Sequence, residues 1–246
     1  MGALNHLTNM VALFSLATLL GLALVLPPNV ALSAPPENAE HVIMAGGPAL
    51  QQWERLRIKA RPHDKWWAQF VRTSTLRMLD RRREFGKDAR ITWIVYRPRD
   101  VTRGQEDQQP FVEWIKERAH DYRALLIWVS SGPQAIAALN SRPTGSILTF
   151  DYFGHSNPHA FMLDYGNEIL EVSKAWIHER DLPKIRQRVF SPQPRCKSWR
   201  CHTRQSMNLT WRQTLSIHLI GAEGRTDYGV VSQRALLPTT TGRWMR

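Results

Sequence analysis

Apolar runs alternate with amphipathic stretches through the second half of the chain. Short, continuous apolar runs of the kind found in buried strands are Ile91–Tyr96, Leu125–Val129, Ile147–Phe153 and Ile217–Ala222, with a further strand predicted between Arg188 and Trp199. Helical spacing predicts helices over Phe111–Ala124, Pro133–Asn140, Trp176–Ile185 and Ser206–Leu215. Ala160–Leu163 and Ile169–Val172 are predicted to form a small hairpin. Strands that alternate with helices pair in parallel through right-handed crossovers, so we expect a three-layer α/β sandwich with a mostly parallel central sheet.

The N-terminal region has the pattern of an export signal. An apolar run from Val11 to Leu26 is stopped by Pro27-Pro28, and small residues suited to cleavage follow up to Ala34. We therefore expect residues 1–34 to be a signal peptide, and the protein to be secreted or periplasmic. Two alternatives remain open: an uncleaved membrane anchor, and a true start of translation at Met44, since no Lys or Arg precedes the apolar run.

The remaining chain divides by composition. Residues 35–49 are polar with Pro and Gly and are predicted to be a linker, and residues 50–90 are predicted to be a basic helical extension. In that extension Trp67, Phe70 and Val71 share one helical face, whereas the arginines at 72, 77 and 81–83 are expected in solvent. The α/β domain is expected over residues 91–232, and residues 233–246 are expected to form an irregular tail.

The net charge of the chain favours some kinds of partner, and its cysteine content excludes some classes of protein. The chain has 33 Lys and Arg against 21 Asp and Glu, a formal net charge of +12, and residues 1–43 contain none of the basic side chains. Such a charge favours polyanions, membrane surfaces or acidic proteins as partners, here through the basic helices, with nucleic acid disfavoured in an exported protein. The two cysteines exclude a disulfide scaffold and a four-cysteine zinc site.

Two strand ends carry the candidate chemistry. Gly154-His155-Ser156 follows the predicted strand Ile147–Phe153, and Cys201 follows the strand that leads to Trp199. Ligand and active sites of open α/β sheets gather at the carboxyl ends of strands, which lie about 5 Å apart when neighbouring strands are parallel. A thiol becomes a good nucleophile when it loses its proton to a nearby imidazole, so His155 and Cys201 are the expected catalytic pair.

The order and spacing of these residues resemble the caspase-like cysteine peptidases, a superfamily that includes caspases, metacaspases, gingipains and CHAT domains. Cys201-His202-Thr203 resembles the Cys-His-Ser-Gly of metacaspases, and Ile217–Ala222 with the later Thr226-Asp227 resembles the segment after the CHAT cysteine. The resemblance covers about residues 91–229. It implies a cysteine endopeptidase that needs no cofactor or metal and acts on peptides or proteins.

The resemblance also implies a role for each site residue. His155 corresponds to the general base after the third core strand, and Cys201 to the nucleophile after the fourth. Backbone N–H groups near Gly154, Ser156 and Cys201 correspond to the oxyanion hole. Asp227 is the candidate acid of a substrate pocket. Independently of the resemblance, alternation along the predicted strand Ile147–Phe153 makes Asp151 a second candidate to line the same cleft.

Alternatives remain open at the sequence level. Ser156 replaces the usual glycine after the histidine, and Arg204 stands where a glycine is usual, so the chain is alternatively an inactive caspase-like binding module. A serine hydrolase with Ser156 as nucleophile is a weaker alternative, because Pro158 stands where a nucleophile elbow has glycine. Cys196 and Cys201 are alternatively joined in a disulfide.

Overall fold

A computed structural model describes residues 37–51, 66–164, 175–199 and 206–221. The strands are β1 (Glu40–Ala45), β2 (Arg90–Tyr96), β3 (Leu125–Val129), β4 (Ile147–Phe153), β5 (His155–Asn157), β6 (Ala160–Met162), β7 (Trp176–His178), β8 (Phe190–Ser198) and β9 (Leu219–Gly221). The α-helices are α1 (Gln69–Phe85), α2 (Arg97–Asp107), α3 (Phe111–Asp121), α4 (Gly132–Asn140) and α5 (Ser206–Leu215). Two 3-10 helices, Glu179–Lys184 and Gln187–Val189, lead from β7 into β8.

Six parallel strands form the main sheet in the order β3-β2-β1-β4-β8-β9. The chain moves outward from β1 through β2 to β3, then returns to the other side of β1 and continues outward through β4 to β8 and β9. This is a doubly wound arrangement, whose direction reverses between β1 and β4. Because all six strands are parallel, the sheet has an amino edge, where its strands begin, and a carboxyl edge, where they end. The predicted α/β class with a parallel central sheet is confirmed.

The sheet is buried on both faces, which makes the structure three-layered. Successive side chains of a strand point to opposite faces, and in β1 Val42 and Met44 belong to one core whereas Ile43 and Ala45 belong to the other. The first core lies under α4, α5 and the small sheet, and its largest buried side chain is Trp211. The second lies under α1 and α3 and surrounds Trp93.

Most of the predicted strands and helices are confirmed within a few residues, but β1 lies inside residues 35–49, the stretch expected to be a linker. All six of its residues are buried, and it is a central strand of the sheet. A strand that is covered on both faces has the pattern of a short apolar run without alternation. Here Gly-Gly-Pro follows the run directly and gives the whole stretch the composition of a linker. Met44, the alternative start of translation, lies within this strand.

The expected extension over residues 50–90 contains α1, which is part of the domain rather than an appendage. α1 crosses from β1 to β2 and packs against the sheet with Phe70, Val71 and Met78 buried. Arg81 is only 2% exposed, so the expectation that it lies in solvent is wrong. The proposed split near Pro62 lies outside the described residues.

The predicted helix over Trp176–Ile185 is present only in part, and as a 3-10 helix. Its first residues form β7, which pairs with β6, and the rest is the 3-10 helix with Pro183 inside it. The segment Ala160–Leu163 pairs as expected, although its partners are β5 and β7, and Ile169–Val172 lies outside the described residues. None of the helices in the described part of the chain is long and apolar enough to cross a membrane.

Candidate active site at the carboxyl edge

Gly154 and His155 lie where β4 ends, beside β1 on one side and β8 on the other. The Tyr152 side chain folds back over Gly154, and its hydroxyl donates to the carbonyl oxygen of His155 at 2.7 Å. A Cβ atom on residue 154 would collide with that phenol ring, which explains why glycine precedes the histidine here. The tyrosine and the glycine together fix the backbone that carries the imidazole.

The His155 side chain is 93% buried, and it is the first residue of the small antiparallel sheet. Its backbone pairs with Met162 of β6, and the ring stands edge-to-face against Phe70 of α1, with 5.2 Å between the ring centroids. His155 is therefore held by two elements, the β5–β6 ladder and the first turn of α1. Its ring lies on the face of the sheet that α1 covers.

The carboxyl end of β8 is fastened to the carboxyl end of β4 through Trp199. The backbone N–H of Trp199 donates to the carbonyl oxygen of Tyr152 at 3.0 Å, and its indole ring stacks on Phe153 with 5.7 Å between centroids. The indole N–H donates to a carboxylate oxygen of Asp151 at 2.8 Å. Like His155, Trp199 packs on the α1 side of the sheet. Cys201, His202 and Arg204 follow it and lie outside the described residues, as does Asp227.

Asp151, expected to line the substrate cleft, instead lies at the centre of a buried ion cluster. Its side chain is fully buried, and it accepts from Arg77 Nε at 3.0 Å and from Arg81 Nη2 at 2.8 Å. Arg77 also lies over the Trp199 ring, with its guanidinium carbon 4.8 Å from the centroid. The carboxylate is therefore occupied by donors from α1 and by Trp199, and its role is to hold these elements together.

Sequence reasoning missed the two arginines of this cluster, although the sequence contained a signal. Asp151 interrupts an apolar strand, and a buried carboxylate requires a buried cation or several hydrogen bonds. Arg77 and Arg81 are four residues apart and so lie on one face of α1. The two arginines of α1 are therefore the complement of the carboxylate on the strand that this helix covers.

The loop after β1 completes the edge beside β4. The backbone N–H of Gly46 donates to Phe153, and that of Gly47 donates to Leu163, each at 2.8 Å. A side chain on Gly47 would overlap the Arg99 side chain, which forms an ion pair with Asp164. The two glycines thus let the β1 loop pass closely between β4 and α2.

Ser156 is half-buried in β5, where it pairs with Phe161 of β6. A nucleophile elbow needs a serine at a sharp turn between a strand and a helix, whereas Ser156 is followed by a turn and then by another strand. The local fold therefore lacks the element that a serine hydrolase of that kind requires.

Cys196 is a free, buried thiol, so the disulfide alternative does not describe this structure. It sits between Phe150 of β4 and Leu219 of β9, in the core on the opposite face of the sheet from Trp199. Burial raises the pKa of this thiol well above its usual range, and the neighbouring Asp151 raises it further. Such a thiol does not serve as a nucleophile.

The residues described so far define a class of protein: a doubly wound α/β domain with a buried histidine at the carboxyl edge of its parallel sheet. No family model, curated protein or solved structure matches the chain. No group of three or more His, Cys, Asp or Glu in the described ranges is arranged to hold a metal ion.

Proposed function

We propose that the protein is a caspase-like cysteine endopeptidase in which Cys201 is the nucleophile and His155 the general base. The observation that carries the proposal is the parallel pairing of β4 with β8. His155 follows the first of these strands directly, and Cys201 follows the second after a short connection. The proposal assigns this chemistry to the carboxyl edge, where α/β sheets place their sites.

Chain connectivity supports the pairing of these two residues. Trp199 is fastened to Tyr152 of β4 by its backbone, and Cys201 is two residues further along. Each residue extends the chain by at most about 3.6 Å, so the Cα atom of Cys201 lies within about 7 Å of that of Trp199. Neighbouring strands are about 4.8 Å apart, so the proposal requires the His155 imidazole and the Cys201 thiol to meet across these two strand ends.

In the proposed reaction the Cys201 thiol gives its proton to His155, and the thiolate attacks the carbonyl carbon of the scissile peptide bond. Backbone N–H groups near Ser156 and Cys201 stabilise the oxyanion. When the tetrahedral intermediate collapses, the C–N bond breaks and the leaving amine takes the proton from His155. A water molecule, deprotonated by His155, then hydrolyses the thioester and releases the carboxylic acid and the free thiol. Asp227 is the proposed acid of the substrate pocket, where it would bind a basic side chain of the substrate.

The test compares three single-residue variants of the full chain on a panel of peptides with a cleavable fluorophore. We expect Cys201→Ala to abolish hydrolysis and His155→Gln to reduce it by about 10²-fold or more, the lower range of general-base contributions. Cys196→Ala is the matched control and should retain activity, because its thiol is buried in the core on the opposite face of the sheet from Trp199. Undiminished hydrolysis by Cys201→Ala would refute the proposal.

A second readout separates an active peptidase from an inactive relative. The rate of Cys201 alkylation by iodoacetamide should depend on pH with a midpoint below 8.5, the usual thiol pKa, and His155→Gln should move that midpoint upward. A wild-type protein that cleaves no peptide and whose Cys201 titrates at the usual pKa would instead be an inactive binding module.

A further inference from the structure

The amino edge of the main sheet, opposite the candidate site, carries a row of basic side chains. Each lies in the last turn of α1, at the start of β2, or in a connection that leads into β2, β3 or β8, and six are exposed: Arg83, Lys87, Arg90, Arg123, Arg186 and Arg188. These residues precede or flank β2, β3 and β8, so the row crosses the sheet from β3 to β8. Five neighbouring strands span about 19 Å, a width typical of a surface rather than of a pocket.

Acidic side chains neutralise only part of this row. Among the described residues, Asp80 forms an ion pair with Arg83 of the row at 3.5 Å. Asp121 forms an ion pair with Arg118, and Glu84 is shared by Arg81 and Arg195. The two other exposed carboxylates at this edge are Glu37 and Asp88. The amino edge therefore presents a net positive surface.

Two exposed apolar side chains lie within the same row. Of the large hydrophobic residues that are exposed in the described chain, Phe85 at the end of α1 is 36% exposed and Leu125 at the start of β3 is 54% exposed. Leu125 directly follows Arg123 and Ala124, and Arg123 has a φ of 44°, in the left-handed region that favours glycine. A non-glycine residue in this region strains the backbone. Here the strained residue places the cation of Arg123 close in sequence to the exposed Leu125.

The direction of the chain adds an independent observation. The chain enters the sheet at Glu40, the first residue of β1, and therefore at the amino edge. The apolar run Val11–Leu26 precedes this point in the sequence, separated from it by residues 27–39. A membrane-bound state of that run would therefore be connected in sequence to the strand that begins at this edge.

We propose that the amino edge docks on a membrane surface rich in acidic lipid headgroups. Basic side chains mixed with a few exposed apolar ones are typical of surfaces that lie in the membrane interface, because the cations bind the headgroups and the apolar groups enter the acyl boundary. A hydrated polyanion such as nucleic acid offers no comparable gain for Leu125. This orientation leaves the carboxyl edge facing the solution, and it does not depend on the proposed peptidase activity.

The experiment measures co-sedimentation of the full chain with vesicles of phosphatidylcholine, with or without phosphatidylglycerol. Vesicles that contain only phosphatidylcholine report the contribution of the N-terminal apolar run, and the difference between the two kinds of vesicle reports the charged surface. Each basic residue near an acidic membrane contributes about 1 kcal/mol, so Arg83→Glu/Arg90→Glu should weaken binding to the acidic vesicles by at least about 30-fold. The matched control, Arg97→Glu/Lys116→Glu, changes the net charge equally away from the amino edge and should weaken binding far less.

A second pair of variants tests the apolar contribution. Leu125→Thr should weaken binding by about 5-fold, as expected for withdrawing part of a leucine from the acyl boundary. Leu209→Thr is its control, because Leu209 is 55% exposed but lies on α5. Circular dichroism of every variant checks that each one folds.

The proposal is overturned if both charge-reversed variants weaken binding equally, or if wild-type protein binds the two kinds of vesicle alike. Binding to short duplex DNA with the same dependence on Arg83 and Arg90, without binding to vesicles, would identify nucleic acid as the partner instead.

Discussion

Replacing Asp151 with asparagine should destabilise the protein more than any other single carboxylate change in the described chain. The carboxylate is fully buried and accepts from Arg77, Arg81 and the Trp199 indole, each at 3.0 Å or less. The amide has nearly the same shape, but it removes the negative charge and turns one acceptor into a donor that faces other donors. Arg81, which is 2% exposed, is then left with Glu84 as its carboxylate partner.

Breaking a buried ion pair by removing one partner typically costs about 3–5 kcal/mol, because a buried charge is left uncompensated. We expect a loss in this range for Asp151→Asn, measured by urea unfolding with linear extrapolation. Asp80→Asn is the matched control on α1. Its side chain is 31% exposed and its carboxylate lies 3.9 Å from Arg77 and 3.5 Å from the exposed Arg83, so the loss of these surface pairs should cost about 1 kcal/mol or less.

Such a loss approaches the whole stability of a small domain, about 5–15 kcal/mol, so a milder variant is needed as well. Trp199→Phe keeps an aromatic ring against Phe153 but removes the indole N–H together with one of the two fused rings. Loss of a hydrogen bond to a charged group should cost about 1.5–3 kcal/mol, and the lost packing adds to it. A double-mutant cycle between Asp151 and Arg81 would give their coupling energy directly. The reasoning fails if Asp151→Asn and Asp80→Asn cost the same, or if the cycle gives no coupling.

The remaining predictions concern other buried groups. Burial, with Arg81 nearby, lowers the pKa of His41 to about 4, so the folded state disfavours the charged ring. The contribution of His41 to stability should therefore be complete above pH 6.5 and fall by up to about 3 kcal/mol as the pH drops toward 4. A pH series of urea melts measures this loss, and His41→Gln should remove it. Cys196 should resist alkylation in the native protein and react only after unfolding, because burial raises its pKa; mass spectrometry of peptides after iodoacetamide treatment checks this, and rapid native labelling at Cys196 would contradict it. Gly154→Ala should displace the Tyr152 ring and lower the melting temperature by several degrees. Gly145→Ala is its control: Gly145 has open space around it but a φ of 71°, so the substitution should cost only about 1 kcal/mol of backbone strain. Equal losses of stability in the two variants would show that the Tyr152 ring moves aside at no cost.

The sequence allowed β2 and β4 to be predicted because they are buried on both faces and appear as nearly unbroken apolar runs. β1 has the same character, but its neighbours Gly46, Gly47 and Pro48 gave the surrounding stretch the composition of a linker. Amphipathic periodicity placed Arg81 in solvent, since it considers one helix alone. Only the match between an arginine on α1 and Asp151 on β4 reveals its burial, and that match is a tertiary contact.

The candidate site was predictable to a similar extent. The position of His155 at a strand end followed from the strand pattern, and the structure places it there, beside β8. The assignment of Asp151 to the substrate pocket followed from alternation along the strand, which gives the face on which a side chain lies but not what covers that face. Here the cover is α1, a helix that the charge pattern had suggested was peripheral.

That helix connects the two ends of the proposed catalytic pair. Phe70 in its first turn contacts the His155 ring, and Arg77 in its middle contacts both Asp151 and Trp199, which leads to Cys201. Because these contacts are made by one rigid element, a rotation or shift of α1 would move the histidine and the end of β8 together with it. Asp151 therefore acts, in the proposed enzyme, as a positioning residue, since its carboxylate joins the helix to the strand end that precedes the nucleophile. The sequence suggested that Asp151 is an acid of the substrate pocket, but its contacts are better explained by a role in holding α1 against the end of β8.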